Sequence, residues 1–189
     1  MFRFTLTAVL AVSISGALIG CASDGYASDE KSIPAPRLSD PDLDAAVMDR
    51  LGSLAGEWEM QDESGDWNTS SVFALSSNGS VVREIMFPGS QSEMTNLYHM
   101  DGTDIVATHY CAIGNQPRMV ASGLETTEDG PAIDFEFDSV SNLRESQSHV
   151  MGSLRLVFMG DNTLREVWTS MTPDGEVDSV MTFDYRRKP

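Results

Sequence analysis

The hairpin that predicts the fold of this chain reads Tyr98-His99-Met100-Asp101-Gly102-Thr103-Asp104-Ile105-Val106. Asp101-Gly102 favours the positive φ angles of a two-residue hairpin loop, and the runs on both sides are typical of β-strands. A loop at these two residues pairs Met100 with Thr103 and Tyr98 with Ile105. Because side chains alternate along a strand, one face then carries Met94, Asn96, Tyr98, Ile105, Ala107, His109 and Cys111. This face mixes polar and apolar groups, as the interior of a barrel with a ligand site does.

Short strands and tight turns continue along the chain after Leu54. Further turn signals stand at Ser77-Asn78-Gly79, Glu128-Asp129-Gly130 and Pro173-Asp174-Gly175. The predicted strands are Glu57–Asp62, Thr69–Ser76, Val81–Phe87, Glu93–Met100, Thr103–Cys111, Arg118–Thr126, Ala132–Asp138, His149–Met159, Thr163–Thr172 and Val177–Arg186. This pattern predicts an all-β fold, an up-and-down antiparallel β-barrel of about 8–10 strands, since closure of the sheet removes its exposed edges.

One short helix is predicted before the first strand. Ser39 or Asp40 offers an N-cap, and Pro41 suits the first helical position. The apolar residues at helical spacing are Leu43, Val47, Met48 and Leu51, and Gly52 is a stop signal. The one longer connection, Ser139–Ser148, is polar and allows a helical turn. The folded barrel domain is therefore predicted to span residues 41–189.

The N-terminus carries the pattern of an export signal. Arg3 supplies a positive charge, and an uncharged apolar run from Leu6 to Leu18 follows that is too short to span a bilayer stably. Leu18-Ile19-Gly20-Cys21 resembles the lipobox of bacterial lipoprotein precursors. The resemblance implies that residues 1–20 are removed, that Cys21 is acylated, and that residues 21–40 form a flexible tether to a membrane. Ala22, which is not aspartate, implies the outer membrane, with the domain facing the periplasm.

Net charge limits the classes of binding partner, and cysteine content limits the disulfides that the chain can form. The chain has 29 acidic and 12 basic side chains, a formal net charge of −17, which argues against nucleic acid and anionic lipid surfaces as partners. The charge is also what keeps a protein soluble in a crowded envelope. Once Cys21 is acylated, only Cys111 remains, so no disulfide within the chain is predicted. No feature of the sequence indicates a protein partner.

Gly56-Glu57-Trp58, at the start of the first predicted strand, is similar to the Gly-x-Trp signature of lipocalins and related calycins. In that family the tryptophan closes one end of the barrel, and an arginine from the last strand packs over it. The resemblance implies this role for Trp58, with Arg186 or its neighbour Arg187 above it, and we predict Arg186. A cation over an indole face contributes about 0.5–2 kcal/mol.

A second resemblance covers most of residues 51–189. Glu84–Gly89, Glu93–Gly102 and Thr108–Met119 resemble segments of a family of exported bacterial proteins of unknown function. Ser141-Asn142-Leu143 and His149 loosely match a further connection and a histidine-rich strand of that family. The resemblance implies a lipocalin-like domain and supplies no activity.

His109 and Cys111 share a face of the predicted hairpin and allow three interpretations. A metal site would need a third ligand, such as His149, His99 or Glu84. A Cys–His nucleophile pair would need a stabilised thiolate and an oxyanion site. In the third, Cys111 packs as a small apolar residue beside a hydrogen-bonded histidine.

The loop Gly114–Arg118 could line the barrel mouth. There Arg118 could pair with a carboxylate ligand, or instead with one of the many acidic residues of the chain. The methionines, among them Met86, Met94 and Met151, fit an adaptable core or a permissive pocket. The candidate ligand-binding residues are Glu84, Tyr98, His109, Cys111, Gln116, Arg118 and His149.

The sequence therefore predicts a lipid-anchored envelope protein that binds a small hydrophobic or amphipathic ligand inside a β-barrel. One alternative is a structural or protein-interaction module without a ligand. A second alternative is a metal-binding, haem-binding or redox barrel that uses His109 and Cys111. No catalytic constellation and no cofactor motif is found, so neither an enzyme, a metal ligand set nor a cofactor is predicted.

Overall fold

A computed structural model describes residues 35–189, which form one helix and a closed β-barrel. The predicted signal peptide (1–20), Cys21 and the tether up to residue 34 lie outside the described residues. The elements are α1 (Pro41–Gly52), β1 (Gly56–Gln61), β2 (Trp67–Ser76), β3 (Val81–Met86), β4 (Met94–Asp101), β5 (Asp104–Tyr110), β6 (Gln116–Ala121), β7 (Glu125–Thr127), β8 (Gly130–Ser141), β9 (Val150–Gly160), β10 (Thr163–Met171) and β11 (Val177–Arg187).

The strands form one antiparallel sheet in the order β6-β5-β4-β3-β2-β1-β11-β10-β9-β8-β7, and β6 also pairs with β8. This last pairing closes ten strands into a ring and leaves the three-residue β7 as an addition to its rim. The prediction of an all-β, up-and-down antiparallel barrel preceded by one short helix is thus confirmed. No helix of residues 35–189 is long and apolar enough to cross a membrane.

The turn signals lie between strands as predicted, and two boundaries differ from the prediction. Arg118–Thr126, predicted as one strand, is interrupted at Ser122-Gly123-Leu124 and divides into β6 and β7. Ser139–Ser148 does not form a helical turn, because β8 continues to Ser141 and Asn142 then turns the chain at a φ of 56°. The closing pair β6–β8 uses this extension, since Gln116 pairs with Ser141.

Helix α1 forms as its sequence predicts. The Asp40 carboxylate accepts hydrogen bonds from the backbone N–H groups of Asp42 and Leu43, which have no partner within the helix. Val47 and Leu51 are buried against the core, and the helix contacts β3 and β4. Because α1 leads into the start of β1, it lies at the end of the barrel where β1, β3 and β5 begin.

The register of the β4–β5 hairpin differs from the prediction. Asp101 pairs with Asp104, so the loop is Gly102-Thr103 and not Asp101-Gly102. Gly102 has a φ of 67°, and glycine at the first loop position is what a type II′ turn requires. Tyr98 consequently pairs with Ala107 and not with Ile105. The shift moves each partner by two residues, so the same side chains still face the interior.

The arginine over Trp58 is Arg187, and the prediction of Arg186 was wrong. Its guanidinium lies 4.4 Å from the Trp58 ring centroid and donates to the carbonyls of Ser53 (2.7 Å), Ala55 (2.8 Å) and Asp161 (3.1 Å). Strand pairing is the reason: Trp58 lies opposite Arg187, whereas Glu59 lies opposite Arg186. Since adjacent residues face opposite sides of a sheet, Arg186 binds Glu59 at 2.9 Å instead.

Candidate functional site

A network of buried polar side chains lies inside the barrel, centred on Glu84 of β3. Its carboxyl group accepts three hydrogen bonds of 2.7 Å, from the Ser71 hydroxyl, the Asn96 amide and the Tyr98 hydroxyl. All four side chains are fully buried or nearly so. Hydrogen bonds of this kind are strong in a low-dielectric interior, and each one that is lost leaves a buried donor without a partner. The network therefore fixes these side chains rigidly.

A second buried carboxyl group, that of Glu166 on β10, faces the same network. Burial, together with the nearby charge of Glu84, raises the pKa of Glu166 well above its usual value. One oxygen accepts a hydrogen bond from the Trp168 indole N–H at 2.9 Å, while Oε1 has no partner among residues 35–189. The Tyr185 hydroxyl nearby is also without one. Burial, with the charges of both glutamates, raises the pKa of Tyr98 and Tyr185 well above the usual range.

His109 is hydrogen-bonded to this network through Asn96. Its Nδ1 lies 2.7 Å from Asn96 Oδ1, and the Asn96 amide nitrogen already donates to Glu84. The oxygen of Asn96 can only accept, so Nδ1 of His109 carries the proton and Nε2 carries a lone pair. Nε2 is buried and has no hydrogen bond partner in the described part of the chain. Burial lowers the pKa of His109 from 6.5 to about 4, so the ring is neutral at pH 7.

Beside His109 lies a small apolar chamber with a volume of about 110 Å³. Eight side chains from six strands and the β3–β4 turn line it: Met86, Phe87, Met94, His109, Met151, Trp168, Met181 and Phe183. Met86 ends β3 and Met94 begins β4, so the chamber lies toward the end of the barrel opposite α1. Met86, His109 and Trp168 are buried, and the other five lining residues are half-buried.

Three of the predicted ligand residues, Glu84, Tyr98 and His109, meet in this site. Cys111 and His149 do not. Cys111 lies in the turn after β5, half-buried, and its backbone binds Asn115 and Gly114. His149 precedes β9, and its ring nitrogen lies 3.4 Å from the Ser148 hydroxyl. His109 and Cys111 share no hydrogen bond, because Nδ1 of His109 binds Asn96 and its Nε2 binds nothing.

Gln116 and Arg118 of β6 lie apart from the chamber. Gln116 donates to the Gly114 carbonyl and accepts from the Ser141 hydroxyl, so it supports the closing strand pair. Arg118 forms ion pairs with Asp138 at 2.7 Å and Asp101 at 2.9 Å, and the inward-facing neighbour on β6 is Met119. Of the two interpretations considered for Arg118, the structure shows pairing with acidic residues of the chain itself.

Among residues 35–189, no three His, Cys, Asp or Glu side chains are grouped so that they could hold a metal ion. The structure therefore does not bring His149, His99 or Glu84 together with His109 and Cys111 as a ligand set. Glu84 is committed to its three hydrogen bonds.

Neither a protein-family model nor a curated protein sequence matches this chain. The lipobox and the lipocalin-like family stay predictions.

Sequence reasoning missed Glu166 and Trp168 as members of the site. A signal was present in both cases. Leu164, Glu166, Trp168 and Ser170 alternate along β10 with one phase, and all four are buried. A glutamate in phase with apolar residues is therefore the sign of a carboxyl group in the barrel interior.

Proposed function

We propose that this chain is a lipid-anchored envelope protein that binds one small ligand in the methionine-lined chamber, with His109 Nε2 as the polar contact. The anchor is supported by the likeness of Leu18-Ile19-Gly20-Cys21 to a lipobox. Binding inside the domain is supported by the closed barrel and by the chamber beside His109.

The observation that carries the proposal is the buried and unpartnered Nε2 of His109, a residue that lines an otherwise apolar chamber. A buried acceptor without a partner costs about 1–3 kcal/mol, and a ligand that satisfies this acceptor recovers that cost. Ligand pockets have this composition, a mostly apolar lining with a few placed polar groups. The histidine cannot turn away to find another partner, because the Asn96 amide holds its other nitrogen.

The size of the chamber limits the ligand. At about 110 Å³ it is smaller than the engineered apolar cavity of about 150 Å³ that accepts benzene. The rest of the interior is filled by large buried side chains, including Phe73, Tyr98, Phe135 and Trp168. A ligand of only a few heavy atoms fits the chamber, whereas a fatty acyl chain does not.

Ethanol is expected to bind more tightly than propane, which has the same number of heavy atoms and no donor. The O–H group of ethanol can donate to His109 Nε2, and such a bond favours ethanol by roughly threefold to tenfold. The measurement is ¹⁵N NMR of protein labelled at histidine, in which ethanol should shift the His109 Nε2 resonance and leave that of the half-exposed His149 in place. Binding of neither compound, or an unmoved Nε2 resonance with both bound, would contradict the proposal.

Cys21→Ser is expected to abolish incorporation of a labelled fatty acid and to leave the precursor uncleaved, because the thiol is the acceptor of the acyl chain in a lipobox. Cys111→Ser is the matched control, since it removes the other cysteine of the chain and should keep full labelling. Gel fluorography after growth with labelled palmitate measures both. Labelling that persists in the Cys21→Ser chain would refute the anchor.

A further inference from the structure

We propose that the ligand of the chamber is a soft monovalent metal ion, Cu(I) or Ag(I), bound by methionine thioethers and by His109 Nε2. This inference rests on the proposed function, because it names the ligand class of the same chamber. It does not use Cys111.

The chamber is lined by residues that offer thioether sulfur and one imidazole nitrogen as metal ligands. Four of the eight lining residues are methionines, Met86, Met94, Met151 and Met181, and the one nitrogen ligand is His109. Thioether sulfur selects Cu(I) among the biological metal ions, and imidazole suits copper as well. Since no carboxylate lines the chamber, it lacks the oxygen ligands that Mg²⁺, Ca²⁺ and Mn²⁺ prefer.

Strand pairing places two of the four methionines opposite each other and a third opposite Trp168. Met86 of β3 lies directly opposite Met94 of β4, and Met181 of β11 lies directly opposite Trp168 of β10. Directly opposite residues have Cβ atoms about 4.5–5.5 Å apart, a separation at which two long side chains can reach one ion. Ligands on strands are positioned more exactly than ligands on loops.

His109 has the supporting contacts of a metal ligand. Its Nδ1–H donates to Asn96, and the Asn96 amide donates to the Glu84 carboxyl group. Metal-binding histidines use their second N–H in this way, which fixes the tautomer and raises the basicity of the coordinating nitrogen. The hydrogen bond chain thus fixes the tautomer in which Nε2 carries the lone pair.

The aromatic lining suits a cation of low charge. Trp168 packs beside His109 with 4.9 Å between ring centroids, and Phe87 and Phe183 pack edge to face at 5.6 Å. An indole face attracts a cation within about 6 Å, and an apolar shell excludes the water that would compete for a weakly hydrated ion. Leucine side chains would line a site for a purely apolar ligand equally well. Methionine differs from leucine in that it supplies a sulfur donor atom.

The test is a titration of the full chain carrying Cys21→Ser and Cys111→Ser, so that no thiol competes, with Ag(I) as a redox-inert probe and with Cu(I) under anaerobic conditions. Tryptophan fluorescence and native mass spectrometry should show one ion per chain. Met94→Leu and Met181→Leu should each weaken binding by about tenfold or more, which corresponds to about 1.4 kcal/mol. Leucine conserves apolar volume, so these variants are expected to fold.

Met60→Leu and Met100→Leu are the matched controls, because both residues are half-buried methionines outside the chamber, and they should bind like the parent. Equal losses in control and chamber variants, or Zn(II) binding as tight as Ag(I), would overturn the inference. Ethanol binding separates the two proposals. If Ag(I) does not bind but ethanol does, the metal is refuted and the proposed function stands. If neither binds, both are refuted.

Discussion

Glu84→Gln is expected to destabilise the barrel by about 2–4 kcal/mol, whereas Glu166→Gln is expected to stabilise it at pH 7 and above. The two residues are both completely buried glutamates on inward faces of the same barrel. The substitution is isosteric in both cases, so volume and packing are matched. The opposite signs follow from what each carboxyl group binds.

Glu84 accepts from three donors, and an amide cannot replace it. One of its oxygens accepts from Asn96 and from Tyr98, and the other accepts from Ser71. An amide has one oxygen, so the NH₂ group of glutamine must face at least one of these donors. The Ser71 hydroxyl can rotate away, but it then has no acceptor. An unsatisfied donor is costly in this dry interior.

Glu166 is in the reverse situation, because burial and the charge of Glu84 keep it protonated. The pKa of Glu166 is raised in the folded protein above its unfolded value of 4.5, so between these two values the unfolded chain binds fewer protons. Stability is therefore fully present below about pH 4.5 and is lost as pH rises toward the folded pKa, by up to about 1.4 kcal/mol per pH unit. Glutamine can accept from Trp168 and donate toward Glu84 without titrating.

Urea unfolding from pH 4.5 to pH 8.5 measures both effects. Glu166→Gln should match the wild type near pH 4.5 and exceed it increasingly as pH rises, and Glu84→Gln should be weaker than the wild type throughout. Parallel pH profiles for Glu166→Gln and the wild type would show that Glu166 titrates as an ordinary carboxylate. Equal stability of Glu84→Gln and the wild type would show that its three hydrogen bonds contribute nothing.

Acid is expected to unfold the metal-free barrel through His109, with a loss of about 3 kcal/mol between pH 6.5 and pH 4. Burial lowers the pKa of His109 to about 4, so in this window the unfolded chain binds a proton that the folded chain does not. Stability is thus present above pH 6.5 and is lost as pH falls through the window. The charged ring would be held away from water, and its Nε2–H group would have no acceptor among residues 35–189.

Above about pH 4.5 the titration of Glu166 changes stability in the opposite direction. The effect of His109 is therefore measured in a protein that also carries Glu166→Gln. There His109→Gln should remove the acid-dependent loss, although its stability at pH 7 is lower because Asn96 and the chamber are altered. His149→Gln is the control, since that ring is half-exposed outside the chamber. An unchanged pH profile in the His109→Gln protein would contradict the assignment of the acid response to this residue.

The hairpin at Gly102 shows which features of the fold could be predicted from the sequence and which could not. Alternation along β4 and β5 places Asn96, Tyr98 and His109 inside the barrel in the predicted register and in the observed one, since the two differ by an even number of residues. The identity of the loop residues was wrong, because aspartate-glycine and glycine-threonine loops both satisfy the local turn chemistry. Only pairing over the whole strand distinguishes them.

The sequence by itself determined that this chain is a barrel of short antiparallel strands with one capped helix, because period-two alternation, turn residues and an N-cap are local properties. It also placed Tyr98 and His109 on one face of the hairpin and marked Glu84 as a candidate ligand residue. Only the tertiary structure decided what those side chains bind. The carboxyl groups of Glu84 and Glu166 lie on strands distant in sequence, and the four chamber methionines come from β3, β4, β9 and β11. Closure of the ring by β6 and β8 brings such residues to one interior, and no local pattern specifies that closure.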